Sequence, residues 1–185
     1  MKKIILLLGA SSSGKTTIGK HLQTLGLSEL ISHTTRQPRI GEIPNQTYYY
    51  ITKEEFDKID KLEQTYYAGN YYCLSRQEVD RHNEDLVYCI VDSDGVRQIR
   101  EAYGEENVVV IYLDVSDYQM HKRMKLRGDS EEDIKKRIEH CYQTQERLIG
   151  LEICDYAIPN VDLESTKEII EQIIKEVKDE EIIIS

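Results

Sequence analysis

Apolar and polar residues alternate along this chain on two scales, and the switch between them predicts its elements. Residues 3–8 form a near-continuous apolar run, the mark of a strand buried on both faces. A glycine- and serine-rich loop, 9–14, follows, and then a helical pattern from about residue 15 to 25. Residues 86–91 and 108–115 repeat the fully apolar character, with a helix-like stretch over 95–103 between them. Strand, helix and strand in succession imply parallel strands joined by right-handed crossovers, an α/β fold. Ser116 is placed to cap a helix running to about residue 126. After a break at 127–130, one helix is predicted over 131–148, with Glu131, Glu132 and Asp133 at its positive end. Residues 155–159 read as a last strand and 163–178 as a last helix, and 180–185 receive no assignment.

Segment 32–79 breaks this rhythm. It carries two of the three prolines and Tyr48, Tyr49, Tyr50, Tyr66, Tyr67, Tyr71 and Tyr72. Short aromatic runs interrupted by Pro and Gly predict a small antiparallel insert.

Composition narrows the chemistry. A chain of 185 residues suits one compact domain with its own core. The formal charge of −10 argues against nucleic acid as a partner, so any anionic ligand must be held by a local cluster of Arg and Lys. Cys73, Cys89, Cys141 and Cys154 form no C-x-x-C pair, which favours reduced thiols and a cytoplasmic location. The two lysines and apolar run at the start resemble a leader. The run enters a glycine motif too soon, and no stretch is long enough to span a membrane.

That motif is the strongest local signal. Gly9, Ala10, Ser11, Ser12, Ser13, Gly14, Lys15 and Thr16 match G-x-x-x-x-G-K-[ST] in full, between a predicted strand and a predicted helix. The glycines permit turns that a Cβ would block, so that backbone N–H groups form an anion nest at a helix N-terminus. Lys15 is expected on the β- and γ-phosphates of a nucleoside triphosphate, and the Thr16 hydroxyl on Mg²⁺.

In the insert, Arg36 and Arg39 lie three apart across Pro38, which holds its predecessor extended and lets both guanidiniums face one target. Arg is the side chain whose donor fork matches phosphate oxygens. Glu63 precedes Gly69-Asn70-Tyr71-Tyr72; a buried carboxylate there would accept from N1–H and N2–H₂ of guanine, which adenine does not offer.

The string S-H-T-T-R-Q-P-R-x-G-E from Ser32 and E-x5-G-N-Y-Y from Glu63 resemble the GMP-binding region of guanylate kinases. D-x-x-G-V-R-Q from Asp92 and R-G-D-S-E-E-x-I-x-x-R from Arg127 extend that resemblance to nearly the whole chain. It implies a three-layer P-loop kinase fold with a parallel central sheet, a small mixed or antiparallel nucleotide-binding insert and a helical lid. The expected division is one domain over 1–185, with core 1–31 and 80–185, insert 32–79 and lid 127–138. The implied reaction moves the γ-phosphoryl of ATP to GMP or dGMP with Mg²⁺ as cofactor, in a monomer or homodimer. By the same resemblance, Ser32, Arg36, Arg39, Tyr48, Glu63, Tyr72 and Asp92 bind GMP, and Thr17, Arg123 and Asn160 join the loop in binding ATP. Lys15, Arg36, Arg127 and Arg137 form the catalytic set.

The chain departs from the family at Leu74, where a hydroxyl helping to read guanine O6 is usual, with Ser75 adjacent, and at Ile90, where an acid is usual. These departures touch nucleobase selectivity and leave the phosphate chemistry intact. They keep two alternatives open: a kinase of this fold with altered acceptor specificity, and a non-catalytic nucleotide- or peptide-binding module. A regulatory GTPase is disfavoured, because no N-K-x-D-type guanine motif appears.

Overall fold

The three apolar runs become the centre of one sheet. The computed structural model describes residues 2–39, 41–67 and 69–184. Strands β1 (Lys3–Leu8), β2 (Ser28–Glu29), β7 (Leu86–Ile90), β8 (Val108–Asp114) and β9 (Tyr156–Pro159) form a sheet in the order β2-β7-β1-β8-β9. Every neighbouring pair in it is parallel.

Alternation along β1 divides the interior in two, as the period of a strand requires. Ile4, Leu6 and Leu8 pack with Val96 and Ile99 of α4 (Ser93–Tyr103). Ile5 and Leu7 pack with Ile18 and Leu22 of α1 (Lys15–Thr24) and with Ile170, Ile173, Ile174 and Val177 of α8 (Leu163–Ile184). Both faces of β1 are therefore covered by helices. A smaller cluster of Ala10, Val115, Met120, Met124 and Ile134 joins the loop after β1 to α5 (Asp117–Arg127) and α6 (Glu131–Gln143).

A second sheet lies within the insert, in the order β4-β3-β6-β5, from β3 (His33–Thr34), β4 (Tyr49–Tyr50), β5 (Lys61–Tyr67) and β6 (Asn70–Ser75). Its helix α2 (Lys53–Asp57) starts at a capping box formed by Thr52 and Glu55, and buries Phe56 against Tyr71. The exit helix α3 (Arg76–Asp80) is capped by Ser75, whose hydroxyl accepts the Glu78 N–H at 3.1 Å. The insert is tied to the core by a reciprocal pair, Gln64 N–H to Gln98 Oε1 and Gln98 Nε2 to Gln64 O, each 3.0 Å.

Two expectations need correction, the end of the last helix and the helix over 131–148; of the two forms expected for the insert it takes the mixed one, and one edge strand was not foreseen. The insert sheet is mixed, because β3 and β4 run parallel: the wide arginine loop between them returns the chain to its starting direction. Strand β2 shows no apolar pattern, being two residues at a sheet edge. The last helix runs beyond residue 178 to Ile184. Finally, the helix expected over 131–148 is two helices, α6 and α7 (Glu146–Ile153), parted at Thr144 and Gln145. Gln145 adopts a left-handed φ of 52°. The break turns α7 onto β8 so closely that a Cβ on Gly150 would run into the Tyr112 ring.

Candidate active site

The loop after β1 takes the shape that its glycines and serines allow. Ser12 (φ 60°) and Gly14 (φ 103°) are both left-handed, the backbone pattern of an anion nest. A Cβ on Gly9 would meet Leu113 O and Ser13 Oγ at 2.7 Å, so the strand-to-loop passage requires glycine. The loop's carbonyls are held from outside. Lys15 Nζ donates to Gly9 O and, at 3.0 Å, to Ala10 O. Arg123 Nη1 donates to Ser12 O (3.3 Å) and Ser13 O (3.2 Å), and Asn160 Nδ2 to Ser13 O (2.6 Å). Four loop carbonyls are thus each bound to a cationic or amide donor. Burial pushes the Lys15 ammonium below its usual pKa, against the pull of Glu146 and Cys141.

Two clefts meet here. One, of about 420 Å³, is lined by Ser12, Ser13, Gly14, Lys15, Thr16, Thr17, Arg123, Arg127, Asn160 and Leu163. The other, of about 860 Å³, runs between α1 and the insert, and its walls include Thr16, Ser32, Tyr48 and Ile90. Thr16 lines both.

The residues expected at the acceptor fall into two groups. Arg36 is mostly buried and forked on Glu42, with Nη1–Oε2 and Nη2–Oε1 both 2.9 Å. Its guanidinium lies 5.5 Å from the Tyr48 ring centre and 5.9 Å from that of Tyr50. Tyr72 packs edge-on against Tyr48, close to Arg36. Arg39 is exposed and sends its backbone N–H to Glu42 Oε2 at 2.7 Å. The Arg36 guanidinium and the Arg39 main chain thus meet at Glu42, so the expectation that both guanidiniums face one target is met by Arg36 alone. The Arg36 guanidinium, helped by the Arg39 N–H, holds the Glu42 carboxyl down at about 2. Glu42 stood in the sequence motif with no role; only the folded loop shows its partners.

The second group is Glu63 and Asp92. Glu63 is 7% exposed, and burial, reinforced by the Asp92 carboxylate, pushes it up to about 7 against a bond from the Leu74 N–H. Asp92 caps α4 through the Gly95 N–H at 2.8 Å. Neither lines the two clefts, and nor do Arg36, Arg39 and Tyr72. Leu74 is fully buried with Leu62 and Val79, and Ser75, on the opposite strand face, caps α3. The adjacent hydroxyl therefore does not replace the one missing at Leu74.

On the lid side, Arg127 pairs with Asp129, and Arg137 Nη1 donates to Ser11 Oγ at 3.1 Å. Asn160 is buried, with its amide oxygen accepting from Thr166 Oγ1 at 3.0 Å. Both ends of its amide are therefore engaged behind the loop.

Comparison with known proteins agrees with this architecture. The family model described as guanylate kinase matches residues 1–177. The guanylate kinase of Prochlorococcus marinus subsp. pastoris is 33% identical over 95% of this chain and 98% of its own. That of Synechocystis sp. is 35% identical over 97% and 95%. The crystal structure of guanylate kinase from Anaplasma phagocytophilum superposes with a TM-score of 0.66 at 28% identity, covering 95% of this chain and 86% of that one. With the family matched along nearly its whole length and the phosphate loop intact, the chain belongs to the guanylate kinase family of nucleoside monophosphate kinases.

Proposed function

We propose that the smaller cleft receives ATP and that GMP or dGMP enters by the larger one, past Ser32 and Tyr48, and reaches Arg36, Glu63 and their neighbours as the insert closes, with the γ-phosphoryl passing across beside Thr16. The observation that carries this reading is that Thr16 lines both clefts. In the proposed division of labour, the core (1–31 and 80–185) holds the donor, the insert (32–79) holds the acceptor, and the lid (127–138) closes over both.

The acceptor is already an ionised phosphate oxygen, so the transfer needs alignment and charge neutralisation more than a general base. Lys15 moves from the Gly9 and Ala10 carbonyls to the triphosphate. Arg36 leaves Glu42, or shares it, to hold the GMP phosphate together with Arg39, Tyr48 and Tyr72. Arg127 and Arg137 swing from Asp129 and Ser11 onto the transferring group. Ser32, Glu63 and Asp92 orient the base, and an ionised Glu63 accepts from guanine N1–H and N2–H₂. Thr17, Arg123 and Asn160 complete the ATP side, the last two by bracing the loop. Closure excludes the water that would otherwise take the phosphoryl.

Mg²⁺ suits this site. Among the described residues no group of three or more His, Cys, Asp or Glu could hold an ion by itself. A Thr16 hydroxyl beside substrate phosphates is the sparse oxygen set that Mg²⁺ accepts. Bound there, the ion would neutralise phosphate charge.

No described helix is long and apolar enough to cross a membrane, and all four cysteines are free thiols. Free thiols fit an enzyme working in the reducing cytoplasm, and the proposed assembly is a monomer or homodimer. A broader acceptor range is the second reading. It rests on Ile90, an apolar wall of the larger cleft, and on the missing hydroxyl at Leu74. Coupled ADP release with GMP, dGMP and AMP, for wild type, Arg39→Ala and Glu63→Gln, tests both readings. Guanine reading by Glu63 predicts that Glu63→Gln damages GMP use far more than AMP use; equal effects would refute it.

A further inference from the structure

The break between α6 and α7 places two side chains behind the phosphate loop that a straight helix would hold apart. Residues five apart on an uninterrupted helix sit about 140° apart around its axis and do not meet. Here Gln145, left-handed at φ 52°, turns the chain so that Cys141 Sγ donates to Glu146 Oε2 at 3.0 Å. Cys141 also packs on the cluster that includes Ala10 of the loop; burial raises its thiol, and the nearby Ser11 backbone N–H opposes that rise. One turn earlier on α6, Arg137 donates to the Ser11 hydroxyl at 3.1 Å. One face of one helix thus holds the Ser11 side chain and brings Cys141 beside its main chain.

We infer that Glu146 is a positioning residue of the phosphate loop, acting through Cys141 on the Ser11 amide. A thiol is a weak hydrogen-bond partner with a freely turning S–H. Donation to a carboxylate fixes that hydrogen and enriches the sulfur as an acceptor, the cooperative effect expected in a low-dielectric network. The Ser11 peptide is then held in one orientation, which sets the curve of the nest that meets the donor phosphates. Glu146 lies near enough to Lys15 for its charge to be felt there, so the whole network is on the donor side. Neither Cys141 nor Glu146 lines either cleft, so their effect on a substrate passes through the phosphate loop alone. The acceptor should therefore not sense them.

The inference rests on the loop being the ATP site, and its test separates the two. Steady-state kinetics on the full chain are measured for Glu146→Ala, Cys141→Ala, the double variant, Cys141→Ser and Lys15→Ala, each with a thermal melt. Glu146→Ala and Cys141→Ala should each raise KM for ATP roughly 2- to 12-fold, the worth of one hydrogen bond, with KM for GMP unchanged. The double variant should be no worse than Cys141→Ala, because both remove one linkage. Cys141→Ser, whose hydroxyl accepts and donates in the same place, should return KM for ATP to within about twofold of wild type. If Glu146→Ala fails to fold, the Cys141→Ala and Cys141→Ser pair decides. Unchanged KM for ATP in Glu146→Ala and Cys141→Ala, with Lys15→Ala inactive, overturns the inference and leaves the loop reading standing. Independent, multiplying effects in the double variant also overturn it. Full turnover in Lys15→Ala removes the loop reading, and the inference with it.

Discussion

Arg36 and Glu42 face each other as a fork on a fork, both contacts 2.9 Å, with the Tyr50 hydroxyl and the Arg39 N–H donating to the same carboxylate. A carboxylate therefore occupies the Arg36 fork, in the place proposed for the acceptor's phosphate.

That arrangement makes Glu42 the residue that presents Arg36. Replacing it should leave the guanidinium free to wander over the Tyr48 and Tyr50 rings. Glu42→Gln is expected to raise KM for GMP about tenfold, the scale of a charge-assisted hydrogen bond, and to leave KM for ATP unchanged. Initial rates at varied GMP check this. A lower KM for GMP would mean that Glu42 competes with the phosphate and does not position its partner.

Lys15 has no role in the core, since its ammonium rests only on the Gly9 and Ala10 carbonyls. Lys15→Ala should lower kcat by on the order of 10²–10³ while the melting temperature stays close to wild type. A matched fall in both would mark Lys15 as structural.

Glu63 links pH to both stability and binding. Its ordinary value is 4.5 and the folded protein raises it to about 7. The native state keeps this proton to higher pH than the unfolded chain does, so stability falls as pH rises between those values and stays reduced above them. Glu63→Gln should therefore melt higher than wild type at pH 8, with the difference gone by pH 4. In the proposed reading GMP binding needs the ionised form, so wild-type KM for GMP should fall as pH rises through 7, and that slope should flatten in Glu63→Gln. Parallel melting curves at all pH values would show that Glu63 titrates normally.

The left-handed Gln145 is a local test of the helix break. Gln145→Gly should leave the melting temperature level or raise it, because relief of strain offsets the added freedom of the unfolded chain. Gln145→Val should cost about 1–2 kcal/mol, since a β-branched residue resists positive φ. Denaturant titration of both variants checks it.

Much of the donor half was legible in the chain. The phosphate loop is a local motif whose chemistry depends on spacing alone, and the apolar runs around it are buried strands wherever they pair. Arg36, Glu63 and Arg137 were readable as chemistry-bearing residues by resemblance. Their present partners were not, because Glu42, Asp92 and Ser11 reach them only through folding. The continuous helix expected over 131–148 followed from a helical pattern with no Gly or Pro at the break. Nothing local marks Gln145, and the contact of α7 with Tyr112, at Gly150, joins residues more than thirty apart in sequence.

By itself, then, the sequence determined the parallel sheet, the anion-binding loop and the family, all of which follow from short-range pattern and spacing. Only the tertiary structure decided that Glu42 occupies the arginine fork, that Leu74 is core and Ser75 a helix cap, and that Cys141 and Glu146 stand behind Ser11. Those relations depend on which faces of distant elements are pressed together, and no periodicity along the chain encodes that.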